Sequence, residues 1–346
     1  MKPTITYEEV LASSKKKTIG FVDVRSPKEY QLSTIPGAVN IPVMDDQARE
    51  VIGKMYKAGQ IDDAKQYGVT WASARLPEMY ARYRQLLNEY DELALFCSRG
   101  GMRSDTIFSL LKALGLPVSR IKGGYKAYRH YVLEHLAEQV TRVQFVTLYG
   151  LSGSGKTDIL AELSKLGANV LDLEACANHR GSLLGSIGLT APHSQKMFES
   201  MLFDASRNWQ TGDVVFTEGE SRRIGQAVMP QPLYEQIQNG QKIFIDAALP
   251  YRVNQIYHDY VEATDVTELI NTLSYMGKVM NQDRVAKMQQ QLKDGEAKSV
   301  IETLLVSYYD PKYSYRKKTY AKTFTNQNAQ ETAAAILAWQ QSAVRL

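Results

Sequence analysis

The chain has 346 residues, 44% hydrophobic and 23% charged, a composition that excludes a disordered, collagen-like or fibrous protein and makes two domains the default. Lys and Arg number 41 against 37 Asp and Glu, so the net charge is only +4, and a surface for a polyanion must come from local clustering. The two cysteines, Cys97 and Cys176, cannot build a disulfide framework or a four-thiolate zinc site, which points to a reducing compartment.

The N-terminal stretch has no signal-peptide core, and no run approaches the roughly 20 apolar residues of a membrane span. A cytoplasmic protein with no membrane partner is expected. Thr18–Val24 predicts a buried strand, Ala38–Pro42 a second, and Leu93–Phe96 a third that ends at Cys97. Helical spacing of apolar residues runs from Leu76 to Asn88 and from Ser104 to Leu114. Tyr131–Arg142 lacks a Pro-, Gly- or Ser-rich linker, so it predicts a helical joint between domains spanning 1–135 and 136–346. Beyond it, Arg142–Tyr149 predicts a strand and Lys156–Leu166 a helix, with further strands at Asn169–Leu173, Asp213–Thr217 and Lys242–Ile245. From Asp265 onward the pattern is helical and closes with Ala329–Val344. Strands alternating with helices make both domains α/β with parallel sheets.

Two loops carry chemistry. Cys97-Ser98-Arg99-Gly100-Gly101-Met102-Arg103-Ser104 lies between a strand and a helix. Its glycines permit tight curvature, its N–H groups and the helix N-terminus favour an anion, and Arg99 and Arg103 add positive charge. The same field favours the Cys97 thiolate. Gly150-Leu151-Ser152-Gly153-Ser154-Gly155-Lys156-Thr157 is a full G-x-x-x-x-G-K-[ST] phosphate loop in the strand–loop–helix context that the motif requires. Its backbone would wrap a diphosphate, Lys156 would reach the terminal phosphate, and Thr157 would ligate Mg²⁺ if a metal is present.

Acidic residues at strand ends, Asp172, Glu218 and Asp246, are candidates for that pocket. Cys176-Ala177-Asn178-His179-Arg180-Gly181 and Glu218-Gly219-Glu220-Ser221-Arg222-Arg223 add His179, Arg180, Glu220 and Arg222, and Arg252 follows the Asp246 strand. For nucleic acid, the candidates are Arg222, Arg223 and the tyrosine-interleaved run holding Lys312, Arg316, Lys317 and Lys318, where cations would meet phosphates and tyrosines would stack on bases.

Asp23-Val24-Arg25, Ile35 to Pro42, the Cys97 loop and Gly123-Gly124-Tyr125 resemble a rhodanese domain, with Asp23 and Arg25 matching its structural ion pair. Arg103 falls six positions after Cys97, one more than in the common sulfurtransferase loop, which makes a wider cradle. Together with the phosphate loop, the whole chain resembles the tRNA 2-selenouridine synthase family. The resemblance implies a rhodanese-like domain fused to a P-loop NTPase-like parallel-sheet domain with a helical C-terminal part. It implies a transferase acting on tRNA that carries wobble 2-thiouridine. That enzyme would use geranyl diphosphate and then selenophosphate, and would have the selenophosphate-producing enzyme as a partner. It leaves two roles for Cys97, carrying selenium as a selenyl sulfide or orienting the anion. An ATP-dependent kinase or sulfurtransferase is the alternative reading of the phosphate loop.

Overall fold

The computed structural model describes residues 4–182, 184–262, 265–278, 280–312 and 318–343. It divides into two units, Met1–His135 and Leu136–Leu346. The helix Gly124–Thr141 runs through that boundary, so the joint is helical, as the absence of breakers predicts.

The first unit is built on β1 (Thr4–Ile5), β2 (Ile19–Asp23), β3 (Val39–Asn40), β4 (Glu92–Phe96) and β5 (Val118–Ile121). They form one parallel sheet in the order β1-β5-β4-β2-β3. Central β4 is buried along its whole length, which is why Leu93-Ala94-Leu95-Phe96 reads as an unbroken apolar run rather than an alternating one. The connection from β3 to β4 carries three helices, Asp46–Lys57, Ile61–Ser73 and Leu76–Leu86. Helix Met102–Ala113 leaves directly from the cysteine loop and packs Ile107 and Leu111 against β4 and β5 residues such as Leu95 and Val118.

The second unit holds β6 (Gln144–Tyr149), β7 (Asn169–Leu171), β8 (Val214–Glu218), the short β9 (Arg223–Ile224) and β10 (Ala227–Val228), then β11 (Gln241–Asp246) and β12 (Lys322–Thr325). Its main sheet is parallel, in the order β12-β11-β6-β8-β7, while β9 and β10 form an antiparallel pair around Gly225. The chain leaves β6 for one side of the sheet and later returns to the other. The C-terminal end of β6 is therefore the switch point where parallel sheets gather ligands, and the phosphate loop sits there. Helices Val266–Tyr275, Gln282–Lys293 and Ala297–Leu304 then build an apolar layer of their own.

The helical reading from Asp265 onward is interrupted by β12. Only Phe324 of Lys-Thr-Phe-Thr is buried, so this edge strand looks polar in sequence. β1 and β5 are equally hard to read from sequence, one being two residues long and the other holding Ser119 and Arg120.

Candidate functional site

The cysteine loop is braced from behind by Gly123 and Gly124. The N–H groups of Tyr125 and Lys126 donate to the carbonyls of Cys97 and Ser98 at 2.9 Å each. Gly124 has φ +58° and lies so close that a Cβ there would stand 2.2 Å from the Cys97 carbonyl oxygen. Only glycine meets both demands, left-handed backbone and direct contact with the loop. On the other side of the sheet end, Arg25 grips Asp23 through Nη2–Oδ2 at 2.6 Å, and Thr34 donates to the same carboxylate oxygen at 2.9 Å. Both charges are buried, so this pair holds the scaffold and does not face a substrate.

Cys97 is 4% exposed, with Sγ 3.2 Å from Ser104 Oγ. Burial works to raise its thiol. Hydrogen bonds from the Ser104 hydroxyl and from the N–H groups of Ser104 and Arg99, with the nearby Arg103 charge, outweigh it and hold the thiol below its ordinary value. Arg103 does not stand free in the cradle: Nη1 meets Glu29 Oε2 at 2.5 Å and Nη2 donates to Ser98 Oγ at 2.9 Å. Arg99 is exposed and makes no ion pair among the described residues, which leaves it as the side-chain cation available to an incoming anion.

Glu29, from helix Pro27–Leu32, does not stand out in the sequence, because its partners lie about 70 positions away. Burial opposes its ionisation, yet Arg103 and Ser98 hold it down to about 2, against an ordinary 4.5. A depressed carboxyl contributes stability that is present above the ordinary value and is lost as pH falls toward the depressed one. Glu29→Gln is therefore expected to flatten the acid-induced loss of stability between pH 4.5 and 2, and to lower stability at neutral pH by on the order of 1–2 kcal/mol once solvent screening of this partly exposed pair is allowed for. Chemical denaturation across that pH range checks it, and a wild-type slope in the variant would contradict it.

The phosphate loop is held by residues from distant parts of the chain. Gly153 and Gly155 have φ +76° and +81°, which an L side chain rarely adopts. Buried Asn326, just after β12, donates to the Ser154 carbonyl at 2.9 Å. Arg252 donates from Nε to the Ser152 carbonyl at 2.8 Å, while its Nη groups pair with Asp310 at 3.0 and 2.6 Å. Arg252 thus clamps the loop with its charge already compensated, and adds none to the pocket. Lys156 Nζ lies across the loop, donating to the Gly150 carbonyl at 3.0 Å and the Leu151 carbonyl at 3.4 Å.

A cavity of about 830 Å³ opens from this loop. Gly153, Ser154, Gly155, Lys156 and Thr157 line it, as do Asp172, His179, Arg180, Glu218 and Glu220. Asp172 caps the helix Leu173–Ala177 by accepting from the Ala175 N–H at 2.7 Å. Glu218 Oε1 accepts from the N–H groups of Leu173 and Glu174 at 2.6 and 2.9 Å, and its buried Oε2 has no partner among the described residues. Burial and the surrounding carboxylates push Glu218 well above the ordinary range. Burial lowers His179, whose neutral Nδ1 accepts from the Gly181 N–H at 3.1 Å. Arg180 donates to the Ile187 carbonyl and stacks 4.7 Å above the Tyr260 ring.

Other candidates lie elsewhere. Asp246 is exposed at the end of β11 beside edge strand β12, and does not line the cavity. Arg222 and Arg223 are exposed at the β9–β10 hairpin, just past the cavity residues Glu220 and Ser221. Lys312 lines the cavity, with Nζ 3.4 Å above the Tyr308 ring, and Lys318 Nζ lies 3.8 Å above the Tyr149 ring. Arg316 and Lys317 fall outside the described residues.

Sequence reading misses Glu174. It lines the cavity two positions after Asp172, and burial together with the Glu220 charge pushes it up to about 8. It also misses the apolar part of the cavity wall, Ile256, Ile301 and Leu305 nearer the loop, then Leu273, Leu292 and Val300, which shares the lining with Asn178, Ser182, Gln255, Asp259, Tyr308 and Tyr309. The i, i+4 pairs Leu269/Leu273 and Val300/Leu304 are the available signal, and they read as ordinary helix core.

Residues 6–131 match the rhodanese-like domain model, and residues 143–274 match a model described as the tRNA 2-selenouridine synthase AAA domain. A tRNA 2-selenouridine synthase from Pseudomonas syringae pv. tomato is 32% identical over 330 residues, covering 87% of this chain and 89% of the relative. Another from Cupriavidus necator is 30% identical, covering 87% and 89%. Among solved structures, a shikimate kinase from Acinetobacter baumannii is 15% identical with a TM-score of 0.28, over 60% of this chain and 98% of that one, a likeness too slight to bear on the ligand. Among the described residues no helix is long and apolar enough to cross a membrane.

Proposed function

The chain belongs to the tRNA 2-selenouridine synthase family, transferases that modify tRNA, and from that premise we propose that its phosphate loop holds geranyl diphosphate for S-geranylation of wobble 2-thiouridine, with selenium then delivered from selenophosphate at the Cys97 loop. The observation that carries this reading is the cavity, where a phosphate loop opens onto walls of Leu, Ile and Val. Burying a ten-carbon chain there is worth on the order of 8 kcal/mol before ordering costs. Asn178, Ser182, Gln255 and Asp259 also line the cavity and could meet the edge of a nucleotide base, so the choice between the two ligands falls to a binding measurement.

In the first step the thiocarbonyl sulfur attacks C1 of the geranyl group. An S–C bond forms, the C1–O bond breaks, diphosphate departs, and the uridine N3 proton leaves to a carboxylate or solvent. Lys156 and the loop N–H groups stabilise the departing charge. Among the described residues no group of three or more His, Cys, Asp or Glu could hold a metal. A magnesium shared with the ligand's phosphates fits better, with Thr157 as its protein donor and the unpartnered Glu218 oxygen nearby. Bound there, the ion would offset phosphate charge.

In the second step the selenium of selenophosphate attacks C2, the C2–S bond breaks, and geranylthiol leaves. Water then cleaves the Se–P bond to give phosphate and 2-selenouridine. The alkylation has a chemical purpose: it converts a poor leaving group, a thiocarbonyl sulfur, into a thiolate that can depart. The cradle built from loop N–H groups and Arg99 suits the selenophosphate oxyanion, with Cys97 Sγ against it to orient the anion for attack on C2. Titration calorimetry of the whole protein tests the ligand. Geranyl diphosphate is expected to bind at least about tenfold more tightly than ATP, a margin of about 1.4 kcal/mol. ATP binding more tightly would return the phosphate loop to the kinase reading.

For tRNA we propose contacts from Lys312, Arg316, Lys317 and Lys318 and from Arg222 and Arg223. Replacing Arg316, Lys317 and Lys318 together by Ala is expected to weaken tRNA binding and to reduce the salt slope by roughly 0.7–0.9 for each phosphate that is no longer neutralised. Filter binding across a salt series decides. Unchanged affinity and slope would move the tRNA surface to the Arg222–Arg223 hairpin.

A further inference from the structure

If the phosphate end of the cavity is fixed by the loop, the opposite end limits how long an apolar chain can be. The order of the wall residues follows from their packing. Gly153 in the loop lies against Ile256, since a Cβ on that glycine would stand 3.1 Å from the Ile256 side chain. Ile256 packs with Val253, Ile301 and Leu305 in one cluster. Leu273, Leu292 and Val300 belong to the next, which is formed by the three helices after Asp265. Val300 sits one residue before Ile301 on the helix Ala297–Leu304, so it carries the wall from the first cluster to the second. Leu292 is what Gln282–Lys293 contributes to the cavity among the described residues. All three side chains are at most 5% exposed, so the wall they contribute at that end is packed hydrocarbon.

We propose that Leu273, Leu292 and Val300 form the floor that selects chain length, admitting a ten-carbon prenyl diphosphate and rejecting a fifteen-carbon one. The proposal rests on the prenyl reading of the cavity. Its logic is volumetric. A well-packed wall yields little to an oversized ligand, and misfit of one methylene in an apolar pocket costs roughly 10–200-fold in specificity. An extra isoprene unit adds five carbons. Leu→Ala removes three, so Leu273→Ala with Leu292→Ala vacates six, about the space required.

The experiment measures kcat/KM for S-prenylation of wobble-thiolated tRNA with five-, ten- and fifteen-carbon prenyl diphosphates. The wild type is expected to prefer ten carbons. The double variant should raise the fifteen- to ten-carbon ratio by about tenfold or more. Val300→Phe, which adds four carbons, should shift the preference toward five carbons and depress use of geranyl diphosphate. Leu292→Ala alone should move the ratio in the same direction as the double variant, which keeps the test open if the double variant does not fold. A folded Leu292→Ala and a folded Val300→Phe that both keep wild-type chain preference would overturn the floor assignment while leaving the prenyl reading intact. A wild-type protein that uses no prenyl diphosphate would instead remove the prenyl reading on which the proposal stands.

Discussion

Lys156→Ala is expected to lower geranyl transfer to 2-thiouridine tRNA by about 10²–10³-fold, the usual consequence of removing one preorganised group that meets charge developing in a transition state. Lys156 lines the cavity where the phosphate loop meets the Asp172, Glu174, Glu218 and Glu220 cluster, and it is the loop's own cation. On the proposed reading, departing diphosphate would carry its charge against that position. Arg252 cannot substitute, because it already commits its guanidinium to Asp310 and the Ser152 carbonyl. The variant should still convert pre-geranylated tRNA to the selenium product, since the Cys97 loop belongs to the other unit. Mass spectrometry of nucleosides after each half-reaction checks both parts. Geranyl transfer at the wild-type rate would take the phosphate loop out of that step.

Cys97→Ser is expected to show the opposite pattern, with geranylation retained and selenium incorporation reduced by at least about 10²-fold. The loop's hydrogen bonds and the Arg103 charge act on a thiol and hold it below its ordinary value, whereas a serine hydroxyl stays protonated at any working pH. S-geranyl-2-thiouridine should therefore accumulate in the variant. Full selenation by purified Cys97→Ser protein would remove the cysteine from the chemistry and leave the loop as an anion cradle alone.

Much of this organisation is readable because it is local. The phosphate loop declares itself by glycines that must take positive φ and by a lysine at fixed spacing. The cysteine loop does so by its place between a buried strand and a helix. What escapes is non-local. Arg103 reads as a free cation until Glu29 is brought to it, and Arg252 as pocket charge until Asp310 is. Asp246 and Glu218 both end strands flanking β6, yet only Glu218 lines the cavity, while Asp246 is exposed beside the edge strand β12. That difference depends on strand order, which spacing along the chain does not encode. The apolar wall is hidden for a different reason. Leucines at i, i+4 that line a cavity and leucines that fill a core have the same pattern, and only the assembled helices distinguish them.

A single reaction shows whether one chain joins a prenyl-diphosphate site to a selenium site. Purified protein is mixed with wobble-thiolated tRNA and geranyl diphosphate in the absence of any nucleotide, and selenophosphate is added after a delay. Nucleosides are then followed by mass spectrometry. S-geranyl-2-thiouridine is expected first, then its conversion to 2-selenouridine with release of geranylthiol. Selenouridine formed without geranyl diphosphate, or formed only when ATP is supplied, would contradict the two-site reading.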